Sequence, residues 1–468
     1  MTRYELAVIG AGPAGLAAAL AAADAGLRVV LLDSAPEAGG QFYRQTARQL
    51  HARRPQRLYH AWSTWEKLRD RLAEHRSTER ITFLADRHVW HVEAVTSNAG
   101  FAVHALLGPE QQTSETITAD ALVLATGGYE RVLPFPGWTL PGVLTAGGAQ
   151  AMLKTGLVLP GRRAVVAGTG PLLLPVAAGL AAAGAEVAGL YDSADPRAFA
   201  RHAAALAQNP GKLVEGAGYT AQLARHGVRV RFRHTIIRAL GRERLEAVVI
   251  AGPGNGHEHR IECDTLAVSH GMLPHTDIAQ TLGAALTDSG AVAVDEEQRT
   301  DIPGLWAAGE ATGIGGAALS LAEGEIAGRS AAARLRGSAP AAGNQVTRTR
   351  RRLRAFADVV ETAYAPPPAS VWAARVDDET VVCRCEEVTA AAVREAVSEL
   401  GATDLRTVKL LTRAGMGWCQ GRICGPGVAG VSGCPHVPAR TPFARPVPLG
   451  VLAESDSMDD NIPPNEGL

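Results

Sequence analysis

The chain has few of the features that mark secreted, nucleic-acid-binding or membrane proteins. It contains six cysteines in 468 residues, and neither Cys263 nor Cys434 has an evident disulfide partner in the sequence. This cysteine usage fits a reducing cytoplasm better than a disulfide-stabilised secreted fold. The 46 basic and 47 acidic residues give a formal net charge of −1. Such a balance provides no overall field for nucleic acid or for an acidic membrane surface.

Targeting and membrane-spanning segments are also missing from the pattern. Residues 1–4 lead straight into an apolar strand without a charged leader or a cleavage site, so secretion is not expected. The uncharged run at residues 164–185 is interrupted by Gly168, Gly170, Pro171 and Pro175, which favours strand, turn and helix over a membrane span. We expect a cytoplasmic protein, with peripheral attachment to the inner membrane face left open.

A strand, a glycine turn and a helix open the chain. Glycines at 10, 12 and 15 follow an apolar run, and a second strand over residues 27–32 ends in an acid. In such a turn the first glycine permits the tight bend, the second lets backbone approach a pyrophosphate, and the third lets the helix pack on the strand. The acid is placed to accept hydrogen bonds from a ribose. The predicted dinucleotide-binding residues are Gly10, Gly12, Pro13, Ala14, Gly15, Asp33 and Ser34.

Three later stretches identify the dinucleotide: a glycine pair after the acid, an apolar strand that ends in Ala-Thr-Gly, and a late strand that ends in glycine and glutamate. The residues concerned are Gly40, Gln41, Ala125, Thr126, Gly127, Gly309, Glu310 and Gly316. In this order the chain resembles the two-dinucleotide-domain flavoproteins, which implies that these residues bind FAD. The closing acid of that family, usually aspartate, bonds the ribityl chain, and Glu310 keeps its charge with one more methylene.

The middle of the chain repeats the strand, glycine turn and helix. Gly168 and Gly170 follow a strand that begins at Arg163, and the next strand ends near Asp192, which would favour a free 2′-hydroxyl over a 2′-phosphate. Leu173 stands at the third glycine position, where its side chain would crowd the helix against the strand. Two interpretations stay open: a working NAD site, or a degenerate domain kept for packing or for another nucleotide.

The redox cysteine pair of pyridine-nucleotide disulfide reductases is absent. In those enzymes it comes just after the glycine pair, but this chain has residues 41–44 without cysteine there, and its first cysteine is Cys263. Disulfide reduction is therefore excluded on chemical grounds. Cys263 lies in an apolar run and is expected to be a buried small residue rather than a reactive thiol.

Four cysteines are concentrated in one C-terminal segment, as the pairs Cys383 with Cys385 and Cys419 with Cys424. Four thiolates suit zinc, but structural zinc sites typically separate the members of a pair by two to four residues. The one-residue spacing fits a two-iron cluster better, with zinc and uncoordinated thiols as the alternatives. The arrangement resembles the bacterioferritin-associated ferredoxin type of 2Fe-2S domain, which implies that these four cysteines bind the cluster and leaves Cys434 outside the ligand set.

A basic run follows a linker-like segment at residues 337–344. A nucleic-acid site is one interpretation, but apolar residues recur within the run at helical spacing, so the solvated basic face of an amphipathic helix is favoured. The arginines are Arg348, Arg350, Arg351, Arg352 and Arg354, and the apolar residues are Leu353, Phe356, Val359 and Val360.

From Glu5 to about Leu452 the chain resembles the alpha subunits of the hetero-oligomeric dye-linked amino-acid dehydrogenases. That group includes the hydroxyproline and proline dehydrogenases, the opine oxidases and the hydrogen cyanide synthase large subunit, and it is related to sarcosine oxidase alpha. Its most particular stretches here are residues 133–138, 141–143, 170–175 and 309–316.

The resemblance implies a partner flavoprotein of the amino-acid oxidase type, the beta subunit, which oxidises the substrate amine. This chain would pass electrons from its FAD through a 2Fe-2S cluster to a respiratory-chain or dye acceptor. A small gamma subunit of the ferredoxin type and an FMN at a subunit interface are left open. The alternative is a self-sufficient NAD(P)H-dependent FAD and iron-sulfur acceptor reductase. The histidines and glutamates form no recognisable constellation, so the sequence assigns no catalytic base and does not identify the amine.

The expected fold is α/β, with two Rossmann-like dinucleotide-binding domains and a small C-terminal α-rich iron-sulfur domain. The predicted boundaries are 1–155 and 265–336 for the FAD domain, 156–264 for the inserted NAD-binding-like domain, 337–375 for a linker and helix, 376–434 for the 2Fe-2S domain and 435–468 for an extended tail.

Overall fold

The computed structural model describes residues 3–95, 100–202, 206–253, 257–338, 344–435 and 441–456. The N-terminal elements are β1 (Arg3–Ile9), α1 (Pro13–Asp24), β2 (Val29–Leu32), α2 (Trp62–Ser77), β3 (Ile81–Leu84), β4 (Arg87–Val95), β5 (Gly100–Leu107), β6 (Ser114–Leu124) and β7 (Gly128–Glu130). The middle elements are β8 (Val143–Thr145), α3 (Ala146–Gly156), β9 (Arg163–Thr169), α4 (Leu173–Ala182), β10 (Glu186–Asp192), α5 (Pro210–Arg225), β11 (Val230–Phe232), β12 (Thr235–Leu240), β13 (Ala247–Ala251), β14 (Glu258–Glu262) and β15 (Thr265–His270).

The C-terminal elements are β16 (Met272–Pro274), α6 (Asp277–Thr281), β17 (Leu305–Ala307), α7 (Ala317–Leu335), α8 (Asn344–Ala363), α9 (Ala369–Trp372), β18 (Val381–Cys383), β19 (Val388–Thr389), α10 (Ala390–Ser398), α11 (Leu405–Thr412), α12 (Gly425–Ser432) and α13 (Leu449–Asp456). Within the described ranges, no helix is both long and apolar enough to cross a membrane.

The first sheet has the strand order β3-β2-β1-β6-β5-β4, with β17 beside β6. Strands β1, β2, β3, β6 and β17 are parallel to one another, and β4 and β5 form an antiparallel extension. The central strands β1 and β2 are continuous apolar runs because both faces of the sheet are covered: helices α1, α2 and α7 pack on one face, and α6 with the loop residues that follow it packs on the other.

The second sheet is parallel and has the order β11-β10-β9-β15-β8. Because β8 and β15 hydrogen-bond into this sheet, the second unit begins near Val143 and ends near His270. The predicted boundaries at 155/156 and 264/265 therefore fall inside it, and residues 143–155 and 265–270 do not belong to the first unit. The short ribbon of β7 and β16 connects the two sheets.

The cysteine-containing segment folds as a separate small unit. The β18–β19 hairpin and helices α10, α11 and α12 share a core that includes Val382, Val393, Val408 and Val428. The tail, predicted as extended, forms helix α13 and packs on the first sheet, where the Phe443 and Trp90 rings lie 5.1 Å apart.

Helices α1 and α7 pack with backbone against backbone. A Cβ on Gly324 of α7 would lie 2.0 Å from the Ala14 carbonyl oxygen, and one on Gly328 would lie 2.2 Å from the Ala18 carbonyl oxygen. Real Cβ atoms do not approach backbone so closely, so both glycines are required for this helix pair. The packing fixes the position of the first turn of α1.

We predict that Gly324→Ala destabilises the first unit by about 1–3 kcal/mol, because the added methyl group forces α7 away from α1. Gly218→Ala is the matched control: it is also a helical glycine, and a Cβ there meets nothing within 4 Å among the described residues. Replacing it should stabilise the chain by about 0.5–1 kcal/mol. Thermal unfolding, followed by flavin release, measures both, and equal effects of the two changes would contradict the packing argument.

Candidate functional site

Three of the predicted FAD motifs leave the first sheet at the same edge. Ile9 of β1 and Ala307 of β17 both pair with Leu124 of β6, so these strands end side by side. The glycine turn, the Ala-Thr-Gly loop and the Gly-Glu motif therefore begin next to one another. Ligands of open α/β sheets bind outside the carboxyl ends of the strands, which is where these loops lie.

Close backbone contacts explain the first glycine turn. Gly10 has φ +103°, and a Cβ on it would lie 2.2 Å from the Ala125 carbonyl oxygen. A Cβ on Gly15 would lie 1.7 Å from the Gly10 carbonyl oxygen, and one on Gly40 would lie 2.6 Å from the Gly12 Cα. The turn, the Ala-Thr-Gly loop and the second glycine pair thus touch through main chain alone. No described side chain caps the N-terminus of α1, so its first amides stay available to a pyrophosphate.

Asp33 fixes this turn from the end of β2. Its Oδ2 accepts from the Ala11 amide at 2.5 Å and its Oδ1 accepts from the Ala35 amide at 2.8 Å. Burial raises the pKa of Asp33, while the two amides act in the opposite direction. Each carboxylate oxygen keeps a lone pair for a sugar hydroxyl. Ser34 is exposed beside it, and the exposed Gln41 accepts from the Arg44 guanidinium at 2.7 Å.

The closing motif brings Glu310 to the middle of the same edge. Its Oε1 accepts from the Gly316 amide at 3.2 Å, and burial raises its pKa. Cβ positions on Gly127 and Gly316 would meet nothing within 4 Å among the described residues. The chain is therefore open at both glycines, and the residues present fit an extended dinucleotide such as FAD.

Glu323 of α7, which the sequence analysis missed, organises the closing motif. Its side chain is 0% exposed, and its Oε2 accepts from the Gly309 amide and from the Thr312 hydroxyl, each at 3.0 Å. The guanidinium of Arg354 donates to its Oε1 at 2.6 Å, and that of Arg350 lies 3.6 Å away. The carboxylate joins the Gly309 loop to helix α8.

The solvated basic face predicted for α8 is therefore wrong for two arginines. The side chains of Arg350 and Arg354 are only 16% and 20% exposed, because they turn inward to Glu323. The exposed members of the run are Arg348, Arg351 and Arg352. Helical spacing placed the apolar side of α8 correctly, but it carried no sign of a buried acid on another helix.

The predicted second site lies at the carboxyl edge of the second sheet. Gly168 has φ +127°, and a Cβ on it would lie 1.8 Å from the Ser269 carbonyl oxygen, whereas Gly170 faces open space among the described residues. Leu173 is fully buried in the core below. Asp192 accepts from the Ala194 amide at 2.9 Å, and burial raises its pKa to about 6.

The segment between α8 and β18 (residues 364–380), called the connector below, reaches the carboxyl edge of the second sheet. The Thr169 hydroxyl donates to the Tyr364 carbonyl oxygen at 3.5 Å, and the Tyr364 ring lies 5.4 Å from the Phe199 ring. The remaining cavity measures about 50 Å³ and is lined by Gly168 and Ser193 together with Pro367 and other residues of the connector. Ligand pockets usually measure about 300–1,000 Å³, so this cavity is far smaller than a nucleotide needs.

The two cysteine pairs converge in the small unit. Cys383 ends β18 and Cys424 precedes α12, and both are buried, whereas Cys385 is exposed and Cys419 is partly exposed. The Cys419 thiolate accepts hydrogen bonds from the Cys424 thiol and, more weakly, from Cys385, which lower its pKa to about 5. Cys424 also contacts Cys383, and its pKa is raised. The four cysteine side chains are therefore neighbours in the order Cys385, Cys419, Cys424 and Cys383.

Glycines make room for these four side chains. A Cβ on Gly417 would lie 2.2 Å from the Cys385 Cβ, and one on Gly415 would lie 3.9 Å from the Cys424 sulfur. The chemistry of four thiolates suits a 2Fe-2S cluster. In the described ranges, however, no three His, Cys, Asp or Glu side chains surround a single metal-ion position, so the four cysteines stay the predicted ligands of the cluster. Cys263 is buried and its pKa is raised to about 12, which confirms that it is not a reactive thiol.

The iron-sulfur unit docks on the stretch at 133–138, which the sequence singled out without a role. The Trp138 indole donates to the Val381 carbonyl oxygen at 2.6 Å, and the Arg384 guanidinium lies 5.6 Å from the Trp138 ring centre. A Cβ on Gly427 would lie 2.9 Å from Pro134. These contacts hold strand β18, which ends in Cys383, against residues 133–138, and the two sets of residues form the docking surface.

We predict that Glu323→Gln weakens FAD binding by about tenfold or more, because two guanidinium groups lose their anion and the Gly309 loop loses its fixed acceptor. The matched control is Glu325→Gln on the same helix, which removes only a surface pair with Arg329. Flavin fluorescence during dilution measures the dissociation constant for both variants. Unchanged FAD affinity in Glu323→Gln would contradict the assigned role.

Comparisons with known proteins agree with this architecture. Residues 4–334 match the family described as pyridine nucleotide-disulphide oxidoreductase, and residues 381–431 match the BFD-like 2Fe-2S binding domain. A subunit of opine oxidase from Agrobacterium tumefaciens is 34% identical over 436 residues, which cover 90% of this chain and 84% of that protein. Hydrogen cyanide synthase subunit HcnB of Pseudomonas protegens is 33% identical over 438 residues, which cover 89% of each.

A solved structure gives the same fold. The L-proline dehydrogenase from P. horikoshii has a TM-score of 0.68 at 22% identity, and the match covers 96% of this chain and 79% of that chain. The expected α/β fold and the resemblance to this group of subunits are confirmed. The chain belongs to the pyridine nucleotide-disulphide oxidoreductase family, as a flavin oxidoreductase with a C-terminal BFD-like 2Fe-2S domain.

Proposed function

We propose that this chain is the electron-transfer subunit of an amine dehydrogenase complex. The partner beta subunit, which is a flavoprotein of the amino-acid oxidase type, oxidises proline, hydroxyproline, an opine or a similar secondary amine. The electron pair then enters the FAD of this chain and leaves as single electrons through the cluster to a respiratory-chain acceptor. The relatives named as subunits of opine oxidase and hydrogen cyanide synthase support an assembly of this kind.

The observation that carries the proposal is the proximity of the two candidate sites. The Gly127 carbonyl oxygen accepts from the His275 amide at 2.9 Å, and the His275 Nε2 lies 2.9 Å from the Asp277 Oδ2. The Arg422 guanidinium donates both to Asp277 and to the Cys419 carbonyl oxygen. A short path of contacts therefore leads from the Gly127 loop of the candidate FAD site to a cysteine of the candidate cluster. FAD supplies two-electron chemistry and a 2Fe-2S cluster supplies one-electron chemistry, so their adjacency suits the splitting of an electron pair.

The residues of this chain bind and position rather than react with substrate. Gly10, Gly12 and Gly15 would admit the pyrophosphate of FAD, Asp33 its ribose, and the four cysteines would hold the cluster. In the proposed assembly the partner subunit oxidises the amine. An FMN at the shared interface and a small gamma subunit stay open parts of that assembly.

The second nucleotide site favours this function over an NAD(P)H-dependent reductase. The Tyr364 carbonyl oxygen already accepts from Thr169, beside the two glycines that a pyrophosphate would approach. The connector also lines the small cavity that remains at this edge. Because a nicotinamide dinucleotide would have to displace the connector, we assign the second unit a packing role.

We predict that Cys419→Ser abolishes dye reduction in the complex purified with its partner subunits and supplied with proline, hydroxyproline or an opine. Bleaching of the partner flavin by the amine should persist, because amine oxidation precedes the cluster. Cys434→Ser is the matched control, since Cys434 is not among the four predicted ligands. Full turnover by the Cys419 variant would exclude the cluster from the electron path.

We also predict that NADH does not reduce the flavin of this chain. The measurement is an anaerobic titration of the purified chain with NADH, in which absorbance of the flavin band is followed at about 450 nm. An unbleached flavin agrees with an electron-transfer subunit that requires its amine-oxidising partner. Prompt bleaching would instead establish a live nicotinamide site and a self-sufficient reductase.

A further inference from the structure

Arg422, in the loop between Cys419 and Cys424, forms an ion pair with Asp277 of the first unit. The guanidinium of Arg422 donates to both oxygens of Asp277, from Nε to Oδ2 and from Nη2 to Oδ1, each at 3.0 Å. The same guanidinium donates through Nη1 to the Cys419 carbonyl oxygen at 3.2 Å and through Nη2 to the Ala444 carbonyl oxygen. One side chain thus joins the cluster loop, the first unit and the tail.

Asp277 is in turn connected to the FAD-site loop. His275, two residues earlier, lies with its Nε2 2.9 Å from the Asp277 Oδ2. The His275 amide donates to the Gly127 carbonyl oxygen at 2.9 Å, and the Thr126 hydroxyl donates to the His275 carbonyl oxygen at 2.5 Å. A short hydrogen-bonded path therefore leads from Thr126 and Gly127 to the Cys419 backbone.

The geometry of the pair suits a rigid contact. The side chains of Arg422 and Asp277 are 20% and 21% exposed, so water screens them only partly. Burial raises the pKa of Asp277, but hydrogen bonds from His275 and Arg422 outweigh burial and hold that pKa below its ordinary value. Two parallel N–H···O bonds fix the relative orientation of both groups, which a lysine could not do.

The contact completes a two-sided attachment of the iron-sulfur unit. On one side the Trp138 indole holds the Val381 carbonyl oxygen, next to the strand that ends in Cys383. On the other side Arg422 holds the loop between Cys419 and Cys424. The first contact alone would leave this loop free to move relative to the Gly127 loop.

We propose that the Arg422–Asp277 pair is a positioning contact that holds the Cys419 loop at a fixed distance from the FAD-site loop. This inference rests on the proposed electron-transfer function. Arg422 and Asp277 do not themselves exchange electrons or protons in it. They keep two separately folded units in register, so that an electron leaving the flavin meets the cluster at a constant separation.

The test compares Asp277→Asn, Arg422→Gln and the double variant in the chain loaded with FAD and iron. Hydrogen exchange of residues 419–424 should become faster by about tenfold or more in each single variant, and the double variant should add little, because both changes break one contact. FAD and iron contents should stay unchanged. Reduction of the cluster after photoreduction of the flavin should slow by about tenfold or more in all three variants. The cluster's midpoint potential should stay near its original value in the double variant, which removes both opposite charges together.

Asp378→Asn is the matched control, because it removes a pair with Arg394 inside the iron-sulfur unit and leaves the docking surface intact. If Asp277→Asn does not fold, Arg422→Lys retains the charge while losing the two parallel bonds, and it should give the same acceleration of exchange. Unchanged exchange at residues 419–424, or faster exchange with undiminished electron transfer, would overturn the positioning role. A parent chain that shows no flavin-to-cluster transfer would refute the proposed function, and the exchange data would still decide whether the contact holds the loop.

Discussion

Direct contact between backbone and backbone around helix α1 is the constraint on which the FAD site depends. Gly15 brings α1 against the Gly10 carbonyl group, Gly324 brings α7 against Ala14, and Gly40 lies on Gly12. Each contact leaves no room for a Cβ, so together they fix the first turn of α1 without using a side chain. The free amides of that turn then face the edge where β1, β6 and β17 end. Glycine loses more conformational entropy on folding than other residues, and burial of the large apolar sheet offsets that loss.

Buried charged side chains fix the position of the closing motif, whereas glycines fix the position of the first turn of α1. The Gly309 loop is held by the carboxylate of Glu323, which is anchored by arginines from α8. A buried carboxylate without those cations would be costly, so the acid and the arginines depend on one another. Helix α8, which follows the first unit in the chain, is therefore part of the FAD site and not merely a spacer before the iron-sulfur unit.

The sequence was sufficient where local rules decide the structure and insufficient where distant partners do. Glycines at fixed spacing, an acid at a strand end and paired cysteines follow local rules, so the α/β fold of the first unit and the presence of a 2Fe-2S domain could be predicted before the fold was seen. The unit boundaries could not, because β8 joins the second sheet through β15, which is distant in the chain. The same reason hid the partners of Arg354 and Arg422, since an arginine in an amphipathic run looks alike whether it faces water or an acid from another unit.

The two glycine turns show that such a motif alone does not establish a ligand. Gly168 must be glycine because of the Ser269 carbonyl oxygen, just as Gly10 must be glycine because of Ala125. Both requirements come from packing between neighbouring strands and would hold with or without a nucleotide. The sites differ in what lies beyond the strand ends. In the first unit, Cβ positions on Gly127 and Gly316 meet no described atom within 4 Å. In the second unit, the connector is bonded to Thr169 through the Tyr364 carbonyl oxygen. Because the connector leads from α8 to the iron-sulfur unit, the second unit is the surface on which the chain packs between these two parts.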